Sequence, residues 1–187
     1  SDEAFLNDPR LVHVDALSRW AFRDDAKSTV DAYPGAEGKA VLQSAFEFGL
    51  ARTKESHDAG VTVLVGTDTI IGGLRYHDEL RHLSSAGLDN ASILRAATID
   101  AATFMGMENT VGSVEVGMRA DLVLLGADPL ADIANTRSIR GVFLAGRYYD
   151  QQAIESLHRY VRSQAGSPAI LARILRGFLM SSVNGSL

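Results

Sequence analysis

The residues best placed to do chemistry are Gly66-Thr67-Asp68-Thr69, which follow the apolar run Val61 to Val65. That run is short and rich in β-branched residues, the pattern of a strand buried on both faces. Asp68 then stands just past the strand's carboxyl end, where ligands gather in α/β folds. A carboxylate there can ligate a metal, act as a base, or cap the next helix. Thr67 and Thr69 can orient that carboxylate, or bond local backbone as ordinary strand-end hydroxyls. Nine positions on, His77 opens the run His77-Asp78-Glu79-Leu80-Arg81-His82. At the head of the following helix it can reach a substrate; the alternative is an imidazole facing solvent or a neighbouring carboxylate. His77 and His82 are at i and i+5, about 140° apart around a helix, so they do not form a zinc-binding H-E-x-x-H face.

The elements that must position these residues are read from periodicity. Ala36 to Ala59 carries a helical apolar stripe that includes Val41, Leu42, Ala45, Phe46 and Phe48, with Gly60 as its stop. Leu74 to Ala86 is a second helix stopped by Gly87. Asp89 or Asn90 caps a third that runs to Phe104 and stops near Gly106. From Val111 the period changes. Ala120 to Leu125 is expected as a strand, and Gly141 to Leu144 with Arg147 to Tyr149 as a strand pair around Ala145-Gly146. Ala153 to Arg162 is a helix. After Ser167-Pro168 a last helix carries Ile170, Leu171, Ile174, Leu175, Phe178 and Leu179 on one side, a stripe expected to dock on the protein's own body. Ser1 to Gly38 reads as polar and irregular, with Leu11 to Val14 a short strand or a loop and mixed helical signals from Ala16 to Lys27. Asp121 suits a turn or backbone-bonding role, and Asp128-Pro129-Leu130 a structural turn.

Composition narrows the classes. The chain has 187 residues, 46% of them hydrophobic, which is enough for a real core. The formal charge of −5 and the lack of a basic stripe argue against nucleic acid as a partner. There is no cysteine, so thiolate ligands, thiol nucleophiles and disulfides are excluded. No apolar run reaches the roughly 20 residues of a membrane span. The chain opens on Ser1-Asp2-Glu3, with neither a Met start nor a signal-peptide h-region, so whether its beginning is the native N-terminus stays open. The location is left unknown, with the cytoplasm favoured.

The ordered series Gly66-Thr67-Asp68-Thr69, His77-Asp78-Glu79-Leu80, Ala86-Gly87-Leu88, Ala96-Ala97-Thr98, Met105-Gly106, Val111-Gly112-Ser113-Val114, Ala120 to Leu125, Asp128-Pro129-Leu130 and Val142 to Arg147 resembles the C-terminal part of a metal-dependent amidohydrolase. The branch is that of imidazolonepropionase-like and Xaa-Pro dipeptidase-like enzymes, and the likeness covers roughly Glu3 to Asp150. It implies an α/β fold: the C-terminal portion of a (β/α)8 barrel, with Val61 to Val65 as its last strand, plus the C-terminal strands of a small β-sandwich. Residues 1–110 would be barrel with a lid-like insertion, 111–150 the share of the sandwich, and 151–187 C-terminal helices.

The resemblance also implies hydrolysis of C–N bonds in small molecules, a cyclic amide or a dipeptide. Asp68 would be both metal ligand and proton acceptor from the attacking water. The implied cofactor is a divalent metal, zinc first among candidates, and the expected partner is a small-molecule substrate, with a homo-oligomer left open. The family's other ligands, a His-x-His pair, a bridging lysine and two single histidines, have no counterparts here. His13-Val14-Asp15 lacks the second histidine, and Lys27, Lys39 and Lys54 lie away from any strand end. The ligands would therefore lie outside this chain, and the chain alone is expected to be inactive. The competing expectation is a non-catalytic module with a structural or interaction role.

Overall fold

The structure is a computed structural model that describes residues 8–69, 71–170 and 172–173. The chain divides into two compact units, Tyr33–Ile154 and Ser1–Ala32 with Glu155–Leu187.

In the unit Tyr33–Ile154, α2 spans Gly35–Asp58 and ends in a left-handed residue, Gly60, at φ 84°. The Val61 amide donates to the Ser56 carbonyl at 3.0 Å and the Gly60 amide to His57 at 2.9 Å, which satisfies the last carbonyls of the helix. Helix α3, Gly72–Ser85, ends the same way at Gly87. Helix α4, Asn90–Ala96, is capped by Asp89, whose carboxylate accepts from the Ser92 amide at 2.9 Å. Helix α5 is Ile99–Phe104.

A single helix through Phe104 was the expectation; the structure breaks it at Thr98, with φ −136° and ψ −96°. The Thr98 hydroxyl donates back to the Leu94 carbonyl at 2.6 Å, closing α4, while its own carbonyl accepts from Ala102 and starts α5.

Strands β1 (Leu122–Leu125), β2 (Ile139–Leu144) and β3 (Arg147–Asp150) form an antiparallel sheet in the order β1-β2-β3, with a 3₁₀ helix, Ile133–Arg137, between the first two. Leu122 faces Phe143 and Phe143 faces Tyr148, and the register slips between Leu124 and Leu125. The Phe143 and Tyr148 rings lie 4.7 Å apart between centroids, a cross-strand pair that fixes the hairpin register.

The core of this unit is Leu80, Leu83, Leu88, Ile93 and Ile133, with Val63, Val65, Ala86, Leu94 and Ala97 packed against it. Leu80 and Ile93 are all but fully buried. The expected strand Val61 to Val65 forms no ladder here. A strand needs a neighbour to take its amides and carbonyls, and among the described residues the sheet holds only β1 to β3. Its alternation is nevertheless visible, because Val63 and Val65 are the residues that meet the core.

In the other unit, Pro9–His13 is a 3₁₀ helix rather than a strand or loop. Asp8 caps it, accepting from the Arg10 amide at 2.8 Å and pairing with the Arg10 guanidinium. Helix α1, Ala16–Ala32, is regular where only mixed helical signals from Ala16 to Lys27 were read, and it extends beyond them to Ala32. Asp15 starts it by accepting from the Ser18 amide at 2.9 Å. Helix α6, Gln151–Ala165, opens at the end of the first unit and runs on into this one. The last predicted helix begins at 168–170, as its proline suggests, but its apolar residues Leu171, Ile174, Leu175, Phe178 and Leu179 lie outside the described residues.

Candidate functional site

Asp68 stands at the end of the segment that Val63 and Val65 anchor to the core. It is exposed, and its backbone lies in the left-handed region at φ 42°. Outside glycine this conformation is uncommon, and aspartate is among the few side chains that tolerate it. Thr67 and Thr69 on either side are half-buried. The left-handed residue is thus the one carboxylate between two hydroxyls, and three positions on, at the head of α3, Ile71 is buried and its carbonyl accepts from the Leu74 amide.

His77 lies one turn into α3 and is half-buried. Its Nδ1 is 3.0 Å from the Thr136 hydroxyl in the second 3₁₀ helix. The Arg137 guanidinium donates to Asp78 at 2.6 Å. Two successive residues of α3 are thus bound to two successive residues of the segment between β1 and β2. Thr136 and Arg137 were missed in the sequence, where nothing distinguishes Asn135-Thr136-Arg137 from an ordinary polar turn.

The other sequence candidates fall into structural places. Asp121 accepts from the Ala145 amide at 2.6 Å and pairs with Arg119. That amide first, and Arg119 after it, hold its carboxyl below the usual aspartate range against the opposing effect of desolvation. Asp128 accepts from the Leu130 amide at 2.9 Å, and its carbonyl accepts from the Asn135 side chain, as a turn residue should.

Among the described residues, no group of three or more His, Asp or Glu side chains comes together in a way that would hold a metal ion. A catalytic zinc wants three protein ligands and an open position. The residues present do not by themselves fit one.

A model of the amidohydrolase family matches residues 18–148. The chain belongs to the amidohydrolase family. This amidohydrolase chain is 39% identical over 79 residues to imidazolonepropionase of Symbiobacterium thermophilum, a match covering 40% of the chain and 19% of that protein. Bottromycin amidohydrolase shares its fold with a TM-score of 0.70 at 22% identity, covering 88% of this chain and 37% of that one. A putative prolidase from Bifidobacterium longum matches with a TM-score of 0.50 at 30% identity, covering 62% and 30% of the two chains. The chain therefore spans about a fifth of the curated relative and about a third of these two solved structures.

Proposed function

We propose that this chain is the Asp68-bearing part of a metal-dependent hydrolase that cleaves C–N bonds in small molecules such as a cyclic amide or a dipeptide. The observation that carries the reading is the placement of Asp68. It is a left-handed, exposed carboxylate at the end of a core-anchored segment, inside the region matched by the family model. A divalent metal, zinc first among candidates, would be held largely by residues outside this chain, and it would lower the pKa of a bound water toward neutrality. Asp68 would accept that water's proton and return it to the leaving nitrogen. Thr67 and Thr69 would orient the carboxylate, and His77 would contact substrate.

On this reading residues 1–110 contribute the last part of a (β/α)8 barrel and a lid, 111–150 a share of a β-sandwich, and 151–187 the closing helices. The sheet supports it. Val123 and Leu124, neighbours that point to opposite faces of β1, are 55% and 51% exposed while Leu122 and Leu125 are half-buried, so each face of that strand is only partly covered by this unit. The second reading, a non-catalytic module, is favoured by the lack of a three-ligand cluster among the described residues.

The experiment compares two proteins on a panel of cyclic amides and dipeptides: the chain alone, and a longer product of the same reading frame that includes an upstream His-x-His segment. Turnover by the longer protein only is the expected result. A reading frame that lacks such a segment, or a longer protein that turns over no C–N substrate, would overturn the proposal in favour of the module.

A further inference from the structure

A pair of imidazoles belongs to the unit that does not contain Asp68, and it does not depend on the family reading. His13 closes the 3₁₀ helix Pro9–His13, and His158 lies near the middle of α6, both within the unit Ser1–Ala32 with Glu155–Leu187. Their ring centroids are 5.4 Å apart, with planes tilted by 47°. The Nδ1 atom of His13 is buried and has no hydrogen-bond partner among the described residues. Leaving such a group unsatisfied costs about 1–3 kcal/mol, so a nitrogen in this position calls for a partner.

We propose that His13 and His158 form a two-imidazole site for a borderline divalent transition ion of the zinc, nickel or copper class. The spacing suits a shared ion. A metal–nitrogen bond of about 2.0–2.1 Å places a ring centre about 3.2 Å from the ion, so two rings opening at a tetrahedral angle have centres about 5.2 Å apart. Imidazole nitrogen is the ligand type these ions select, whereas magnesium and calcium select oxygen.

Both ligands are carried by regular elements. The 3₁₀ helix is capped by Asp8 at its start, its Leu11 is buried, and the Val14 amide closes it by donating to the Leu11 carbonyl. His158 sits on a regular helix and is exposed, so water can complete the coordination shell. Asp15, Ala16, Ala165 and Gly166 line a common recess. His158 and Ala165 are two turns apart on one face of α6, so that face runs along the joint between the 3₁₀ helix and α1. An ion between His13 and His158 would clip that joint to α6.

The test titrates the purified chain with Zn²⁺ and Ni²⁺, with Mg²⁺ as the control ion, following imidazole resonances by NMR and melting temperature by calorimetry. His13 and His158 signals are expected to shift together as one equivalent binds, with a higher Tm. His13→Ala and His158→Ala should each weaken binding at least about tenfold and abolish the Tm rise. His57→Ala and Asp68→Asn should leave both unchanged, which separates this site from the proposed hydrolase centre. Binding that survives His158→Ala, a substitution on an exposed helix face that the fold tolerates, would overturn the assignment. So would His13 and His158 resonances that do not move when zinc is added.

Discussion

His77 donates its Nδ1 proton to the Thr136 hydroxyl. That hydroxyl lies 2.8 Å from the Ile133 carbonyl, which can only accept, so its single proton is committed there and the 3.0 Å contact with His77 must be donated by the ring. The neutral imidazole is thereby fixed in the Nδ1–H tautomer, with Nε2 as its acceptor nitrogen. Thr136 is itself buried, and Ile133 beside it belongs to the core cluster. Thr136→Val should keep the shape but leave the His77 N–H without its acceptor. The expected loss is about 1–3 kcal/mol of stability, measured by urea unfolding. A variant as stable as the parent would show that this hydrogen bond is replaced by water.

The turn joining β2 and β3 carries a local conflict. Ala145 and Gly146 both have positive φ, 49° and 81°, the signature of a type I′ hairpin turn. Alanine is a poor residue for the first of these positions, where asparagine is preferred. Ala145→Asn should raise stability by about 0.5–1 kcal/mol, with Asp121 still accepting from the residue's amide. An unchanged or lowered unfolding midpoint would contradict the turn assignment.

Gly112 is required on two counts. Its φ is 100°, and a Cβ there would lie 2.8 Å from the Ala102 Cβ and 3.0 Å from the Ile99 Cα in α5. Because one of these contacts is backbone, a larger residue cannot be accommodated by a rotamer change. Gly112→Ala should cost at least about 1–2 kcal/mol from the left-handed conformation, with overpacking in addition. A Tm within a degree of the parent's would mean that this loop rearranges freely.

The caps give a pH expectation. The Ser92 hydroxyl and then the Ser92 amide, both donating to Asp89, hold its carboxyl below the usual aspartate range. A group depressed in the folded state stabilises the fold above its unfolded pKa, and that contribution is lost as pH falls through the folded value. The start of α4 should therefore fray only on the acid side of the ordinary aspartate range. Carboxyl NMR titration checks this, with the Asp89 midpoint expected below the ordinary aspartate value. A midpoint at or above it would remove the cap from the account.

What could be read from the sequence was local. The stops at Gly60 and Gly87, the cap at Asp89 or Asn90 and the hairpin around Ala145-Gly146 each depend on a few adjacent residues, and the structure places the stops and the hairpin as read and gives the cap to Asp89. Long-range relations were not legible. The contact between His77 and Thr136 spans 59 positions, with no pattern to announce it. Val61 to Val65 has the composition of a strand, but composition does not supply the neighbouring strand that a ladder requires. The break at Thr98 turns on a hydroxyl bonding back to Leu94, a choice that the helical apolar stripe from Ile93 to Phe104 conceals.

Asp68 is the residue on which the proposed chemistry turns, and Asp68→Asn in the complete enzyme tests it. Asparagine is isosteric and keeps one acceptor, and it also tolerates the left-handed backbone at φ 42°, so the fold should be retained. It cannot take a proton, so the base that activates water and the acid that serves the leaving nitrogen are lost together. The expected outcome is a fall in kcat of at least about 10², the lower range for a lost general base. KM should change much less, because the side chain acts mainly in the transition state. Metal content measured beside the rate separates a lost base from a lost ligand. A purely structural role predicts the reverse, since asparagine caps a helix nearly as well as aspartate: a small change in Tm and an almost unaltered kcat. A variant with full metal content and near-parental turnover would remove Asp68 from the reaction.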